Sequence, residues 1–132
     1  VTTILVNHGY AIVGSLSGTT VTWGSATEFK NAEVRNPSIT FDSSNNKVVI
    51  AYRDQGNSGY GTSVVSTVSG TSISFGTDVV YSSRSAQDYT TLSFDTNANK
   101  VVVIYQDSGD TSYGRANVGT VSGTNCSYFY KF

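Results

Sequence analysis

The sequence predicts an all-β fold of tandem four-stranded antiparallel repeats, and three observations carry that prediction. The segment Phe41 to Phe75 returns at Phe94 to Tyr128, an offset of 53 positions with about half of the aligned residues identical. Short runs alternate apolar and polar residues, or are apolar throughout, and each is bounded by Asn, Asp, Ser and Gly. No stretch carries the 3.6-residue period of a helix.

Each copy reads as four strands. Ile39-Thr40-Phe41 and Leu92-Ser93-Phe94 alternate, as a strand with one buried face does. Lys47 to Tyr52 and Lys100 to Tyr105 are apolar at successive positions, so both of their faces are expected to be covered. The third strand, near Tyr60 to Val68 and Tyr113 to Val121, spaces its apolar residues three apart (Val65/Val68, Val118/Val121, Val13/Leu16), which predicts a bulge. The fourth reads Val21-Thr22-Trp23, Ile73-Ser74-Phe75 and Cys126-Ser127-Tyr128, with one shared inward pattern. Asp42 to Asn46 and Asp95 to Asn99 are hairpin loops, because Asp and Asn bond back to their own backbone and tolerate left-handed conformations. Ser-Gly-Thr at 17–19, 69–71 and 122–124 makes a tight turn with glycine where a positive φ is expected.

One domain spans 1–132, with internal repeats at 19–70 and 71–123 and partial copies at 1–18 and 124–132. Two such units and two fragments do not close a ring of blades. Either strand pairing between subunits completes the sheets, or the strands form a two-sheet β-sandwich.

The turn Asp54-Gln55-Gly56-Asn57-Ser58-Gly59-Tyr60 and its partner, Asp107 to Tyr113, resemble the Asp-box of sialidase-type β-propellers. Tyr52 and Tyr105 stand where that motif has Ser or Thr, and the aromatic falls one residue later. The repeat as a whole, over residues 9–128, resembles tandem β-repeats of phage and bacterial surface proteins. The resemblance implies propeller-blade-like units and no activity, since the Asp-box is a folding device.

Composition narrows the function. Charged residues make up 13% of the chain and the net charge is −1, so no basic stripe exists to neutralise a phosphate backbone and nucleic acid is not an expected partner. No apolar run reaches the roughly 20 residues of a membrane span. A chain rich in Ser, Thr, Gly and Tyr that begins at Val1 fits an exported product, placed outside the cell, on its surface or on a virion. Cys126 is the single cysteine, so no disulfide forms within one chain and a buried thiol is expected.

Catalytic chemistry finds no purchase. His8 is the one histidine, has no serine or cysteine assigned to it by spacing, and reads as a turn residue. Asp42, Asp54, Asp95 and Asp107 occupy equivalent repeat positions, which turn chemistry predicts and a unique carboxylate pair does not. Arg35, Arg53, Arg84 and Arg115 share no repeat position. Asp107 and Asp110 offer alternate oxygen ligands and make a weak calcium candidate, lowered by Asn57 in the sister loop. No cofactor is expected. Tyr60 and Tyr113, at the same turn of each copy, could stack on a sugar ring; the competing reading has them cap hairpins. Asn125-Cys126-Ser127 is a formal glycosylation sequon on a strand expected to face inward.

The ends depart from the repeat. Thr2-Thr3-Ile4-Leu5-Val6, a β-branched and apolar run, stands where the first partial copy should turn. Phe129 replaces the glycine found at Gly24 and Gly76, giving Tyr128-Phe129-Tyr130-Lys131-Phe132. Apolar terminal strands are templates for association, so Thr2, Thr3, Ile4, Leu5, Val6, Tyr128, Phe129, Tyr130 and Phe132 are the expected assembly residues. The expected function is that of a non-enzymatic structural subunit of an extracellular filament, appendage or virion, a homo-oligomer or helical polymer of itself. The alternative is a carbohydrate-binding repeat lectin or adhesin module.

Overall fold

The computed structural model describes residues 7–84, 87–107 and 113–131. Twelve strands follow in order: β1 (His8–Ala11), β2 (Gly14–Ser17), β3 (Thr20–Trp23), β4 (Thr27–Asp42), β5 (Lys47–Asp54), β6 (Tyr60–Ser69), β7 (Ser72–Phe75), β8 (Val79–Ser82), β9 (Gln87–Asp95), β10 (Lys100–Asp107), β11 (Tyr113–Ser122) and β12 (Asn125–Lys131). A single 3-10 turn, Gln55–Asn57, breaks the pattern, and no α-helix occurs among the described residues. The all-β expectation holds.

The strands form a six-stranded sheet, β1-β4-β5-β6-β7 with β8 also on β6, a four-stranded sheet, β12-β11-β10-β9, and the hairpin β2-β3. All pairings are antiparallel. The long strand β4 passes from one partner to another: its first half pairs with β1 and its second half with β5. After β7 the same passage is made by β8, beside β6, and β9, beside β10.

β5 lies in the middle of the protein. Val49 and Ala51 face the β9–β12 sheet, where they meet Val101, Val103, Val121 and Cys126, while Ile50 and Tyr52 face Ala11, Phe29 and Val34. All four β5 side chains are buried, as the unbroken apolar run predicts. β10 differs: Val101, Val103 and Tyr105 are buried, but Ile104 is 49% exposed. The same pattern gives two covered faces in β5 and one in β10, because no described sheet lies on the far side of β10.

An aromatic trio fills each interface. Phe29 packs on Tyr52 and Phe75 with centroids 5.3 and 5.7 Å apart, and Tyr81 packs on Tyr105 and Tyr128 at 5.3 and 5.7 Å. The tilted geometry suits the ring quadrupoles. Gly9 and Gly61 make room for these rings, since a Cβ at either would overlap Phe29 or Tyr81.

Turn chemistry follows expectation in the loops. Asn46 and Asn99 adopt φ of 53° and 52°, and Gly18, Gly70 and Gly123 adopt 58°, 59° and 60°. Asp42 is 1% exposed, and its carboxylate accepts from the backbone amides of Ser44 and Asn45, the Ser44 hydroxyl and the Asn45 amide. Burial disfavours its charge, but these bonds outweigh burial and hold its pKa below the ordinary value. Asp95 accepts only from the Asn97 and Ala98 amides and is exposed. Asp42→Ala is therefore expected to lose about 2 kcal/mol by urea unfolding and Asp95→Ala about half as much. The Asp42 contribution persists above pH 3.8, the unfolded value, and fades as pH falls through the lower folded one.

The third strand needs correction. The β5–β6 ladder runs unshifted from Val48↔Ser66 to Asp54↔Tyr60, so the spacing of Val65 and Val68 marks no bulge there. Instead β6 changes partners along its other edge: β7 opposes Ser66–Ser69, Gly76 donates its amide to the Val65 carbonyl at 2.8 Å, and β8 opposes Gly61–Ser63. The irregularity lies between Gly61 and Thr62. Val65 is buried and Val68 37% exposed, so the two valines answer to different surroundings.

Candidate functional site

Among the described residues β1 is an edge strand. One side pairs with β4 through His8↔Glu33, Gly9↔Lys30, Tyr10↔Glu28 and Ala11↔Thr27. Beside it opens an apolar groove of about 660 Å³ whose lining includes Ile12, Phe29, Val34, Pro37, Ile39 and Ile50. His8 and Tyr10 stand on its rim with rings stacked at 6.5 Å. Glu28 accepts from the Tyr10 hydroxyl at 3.1 Å and lies 3.3 Å from His8 Nδ1. The hydrogen bond to Glu28, with the charge behind it, raises the Tyr10 pKa. His8 thus begins a strand rather than forming the expected turn, because its side chain is held between Tyr10 and Glu28.

The neighbouring interface shows what such a groove seats. Ile39 and Phe41 stand 53 positions before Leu92 and Phe94. Leu92 and Phe94 pack against the cluster containing Val49, whereas Ile39 and Phe41 are 63% and 53% exposed. In one interface the surface is covered by β5; in the other the matching surface is the groove and its rim.

Two of the four expected turn acids, Asp54 and Asp107, are buried and ion-paired. Asp54, 1% exposed, is 2.6 Å from Lys30 Nζ, which also reaches Asp78 at 2.8 Å. Tyr52 donates its hydroxyl to Asp78 at 2.9 Å. Asp107, fully buried, lies 2.7 Å from Arg115 Nε and 3.2 Å from Arg84 Nε. Two guanidinium groups on Asp107 take the carboxylate that the calcium reading needed; Asp110 lies outside the described residues. Among the described residues no group of three His, Cys, Asp or Glu side chains is arranged to hold a metal. Sequence reasoning missed Lys30 and Asp78, which have no equivalents in the second copy; the signal was the repeated buried acid, which required a cation from somewhere.

Tyr60 and Tyr113 sit opposite Asp54 and Asp107 on separate sheets, Tyr60 half-buried and Tyr113 63% exposed, and neither lines the groove. Cys126 is a buried free thiol, and burial pushes its pKa up. Asn125 beside it is exposed. Thr2, Thr3, Ile4, Leu5, Val6 and Phe132 lie outside the described residues. The backbones of Tyr128, Phe129 and Tyr130 pair in register with Gly119, Val118 and Asn117 of β11. No described helix is long and apolar enough to cross a membrane. No family model, curated protein or solved structure matches the chain.

Proposed function

We propose that this chain is a non-enzymatic structural module of an extracellular appendage, filament or virion, and that it completes its first sheet with a strand supplied by a neighbouring copy. Its repeats act as blade-like layers stacked face to face. The observation that carries the reading is that, among the described residues, no strand pairs with the outer edge of β1 over an apolar groove, where the following layer has a filled interface. Main-chain bonds along an edge supply affinity, and alternate side chains entering a groove supply register.

Thr2 to Val6 has the composition of such a donor. In the repeat at 19–70 the equivalent connection, residues 55–59, holds two glycines and a serine and turns back upon β6. A β-branched run lacks those turn residues and favours continuing away from β1, towards a neighbour.

Deleting residues 2–6 is expected to reduce the native mass to that of a single shortened chain while the β-sheet circular dichroism signal stays. A native mass unchanged by the deletion would show that no strand is exchanged.

A further inference from the structure

We propose that Phe129 makes the outer face of the β9–β12 sheet refuse a further layer, so that copies do not stack head to tail and association is left to the edge of β1. The last clause rests on the reading above; the rest stands on the seams between the layers already present.

Each seam is closed through a glycine. Gly24 follows β3 and donates its amide to the Val13 carbonyl at 2.8 Å, as Gly76, after β7, does to Val65. The tight turn of the next layer lies directly over each glycine. A Cβ on Gly24 would overlap the Thr71 carbonyl oxygen, and one on Gly76 the Thr124 carbonyl oxygen. Backbone cannot yield as a side-chain tip does, so even alanine is excluded from these two positions.

At the third equivalent position stands Phe129, paired with Val118 and 65% exposed. Strand alternation puts it on the same face as Val102, Ile104 and Val118, the face that in the β5–β6 layer is buried by its successor. The strand path agrees. Where the chain leaves β6 at Gly76 and crosses to the next layer as β8 and β9, β12 runs straight along β11 from Ser122 to Ala116. The outer face therefore keeps the features of a layer acceptor and loses the function at one residue.

The partner it refuses has a defined chemistry, the Ser17-Gly18-Thr19 turn of a second copy with Leu16, Val21 and Trp23 beside it. Leu16 and Val21 are 69% and 43% exposed, while their counterparts Val121 and Cys126 are 5% and 2% exposed; Trp23 is 63% exposed and its counterpart Tyr128 half-buried.

Phe129→Gly should restore stacking between copies. Sedimentation is expected to show an average mass that rises with concentration to at least about twice that of wild type, and Leu16→Asp with Trp23→Asp in the same chain should abolish the rise. Phe129→Ala should behave as wild type, because its Cβ alone excludes the turn. Equal association of the alanine and glycine variants, or a folded glycine variant no heavier than wild type, would overturn the proposal. Should Phe129→Gly lose its β-sheet signal, Gly24→Ala reads the same exclusion within the chain. It is expected to part the β2–β3 hairpin from Thr71 and change the emission and quenching of Trp23, the only tryptophan; unchanged emission would equally overturn it. Neither variant touches residues 2–6, so failure here and failure of strand exchange are read separately.

Discussion

Tyr81→Ala should lower folding stability by about 3–5 kcal/mol, measured by urea unfolding, the range for removing a buried ring that its surroundings cannot replace. Tyr81 is fully buried and wedged between Tyr105 and Tyr128. Its main-chain carbonyl also accepts from the Asn117 side-chain amide, which ties β8 to β11. Tyr128 in turn donates its hydroxyl to Ser63 at 2.9 Å, so the ring holds together a contact surface between two layers rather than a single strand. Gly61 leaves no Cβ to slide into the space that the ring vacates. Tyr81→Phe should cost under about 1 kcal/mol, because the hydroxyl makes only a 3.4 Å contact with Thr90. Phe29, which already occupies the matching place without a hydroxyl, is half-buried beside the groove, and Phe29→Ala is expected to cost about 2 kcal/mol. A smaller loss for Tyr81→Ala than for Phe29→Ala would mean that the aromatic trio does not hold the layers together. Burial also raises the Tyr81 pKa to about 12.

The strands and their turns were legible because they are local. Val48 to Tyr52 declared a doubly covered strand, Asn46 and Gly70 declared their turns, and the 53-residue offset sets the starts of β5, β6 and β7 against those of β10, β11 and β12. What depends on neighbours across layers was not legible. Lys47–Tyr52 and Lys100–Tyr105 carry the same pattern, yet a sheet covers the far face of β5 and, among the described residues, none covers that of β10, which no periodicity records. The spacing of Val65 and Val68 looked like a bulge because a strand that changes partners presents its valines to different surroundings. For the candidate site, the terminal departures were visible, but the groove was not: its lining comes from β1, β4 and β5, brought together only by the passage of β4 between two partners.

Lys30→Met is expected to cost about 3 kcal/mol, since it leaves Asp54 buried without its ammonium partner. The low end of the range for breaking a buried pair applies because Lys30 and Asp78 keep 22% and 31% of their side chains exposed. Adding Asp54→Asn to Lys30→Met should recover about 2 kcal/mol, because removing both charges spares the penalty of a lone one. No recovery in the double variant would show that Lys30 acts by packing its stem and not by its charge. The same cluster sets the alkaline limit of the fold. Burial works against the Lys30 charge, but its bonds to Asp54 and Asp78 outweigh burial and hold its pKa above 10.5. Burial, reinforced by the negative charge of Asp78, pushes the Tyr52 hydroxyl well above 10.0, and burial raises Tyr128 in the same direction. All three groups keep their protons longer when folded than when unfolded. Their contribution is whole below about pH 10 and is lost as pH rises through the folded values, so stability should be level near neutrality and fall steeply above pH 10. Lys30→Met removes the Lys30 proton from that linkage, and its alkaline slope should be shallower than that of wild type. An alkaline slope identical in the two proteins would separate Lys30 from the pH response.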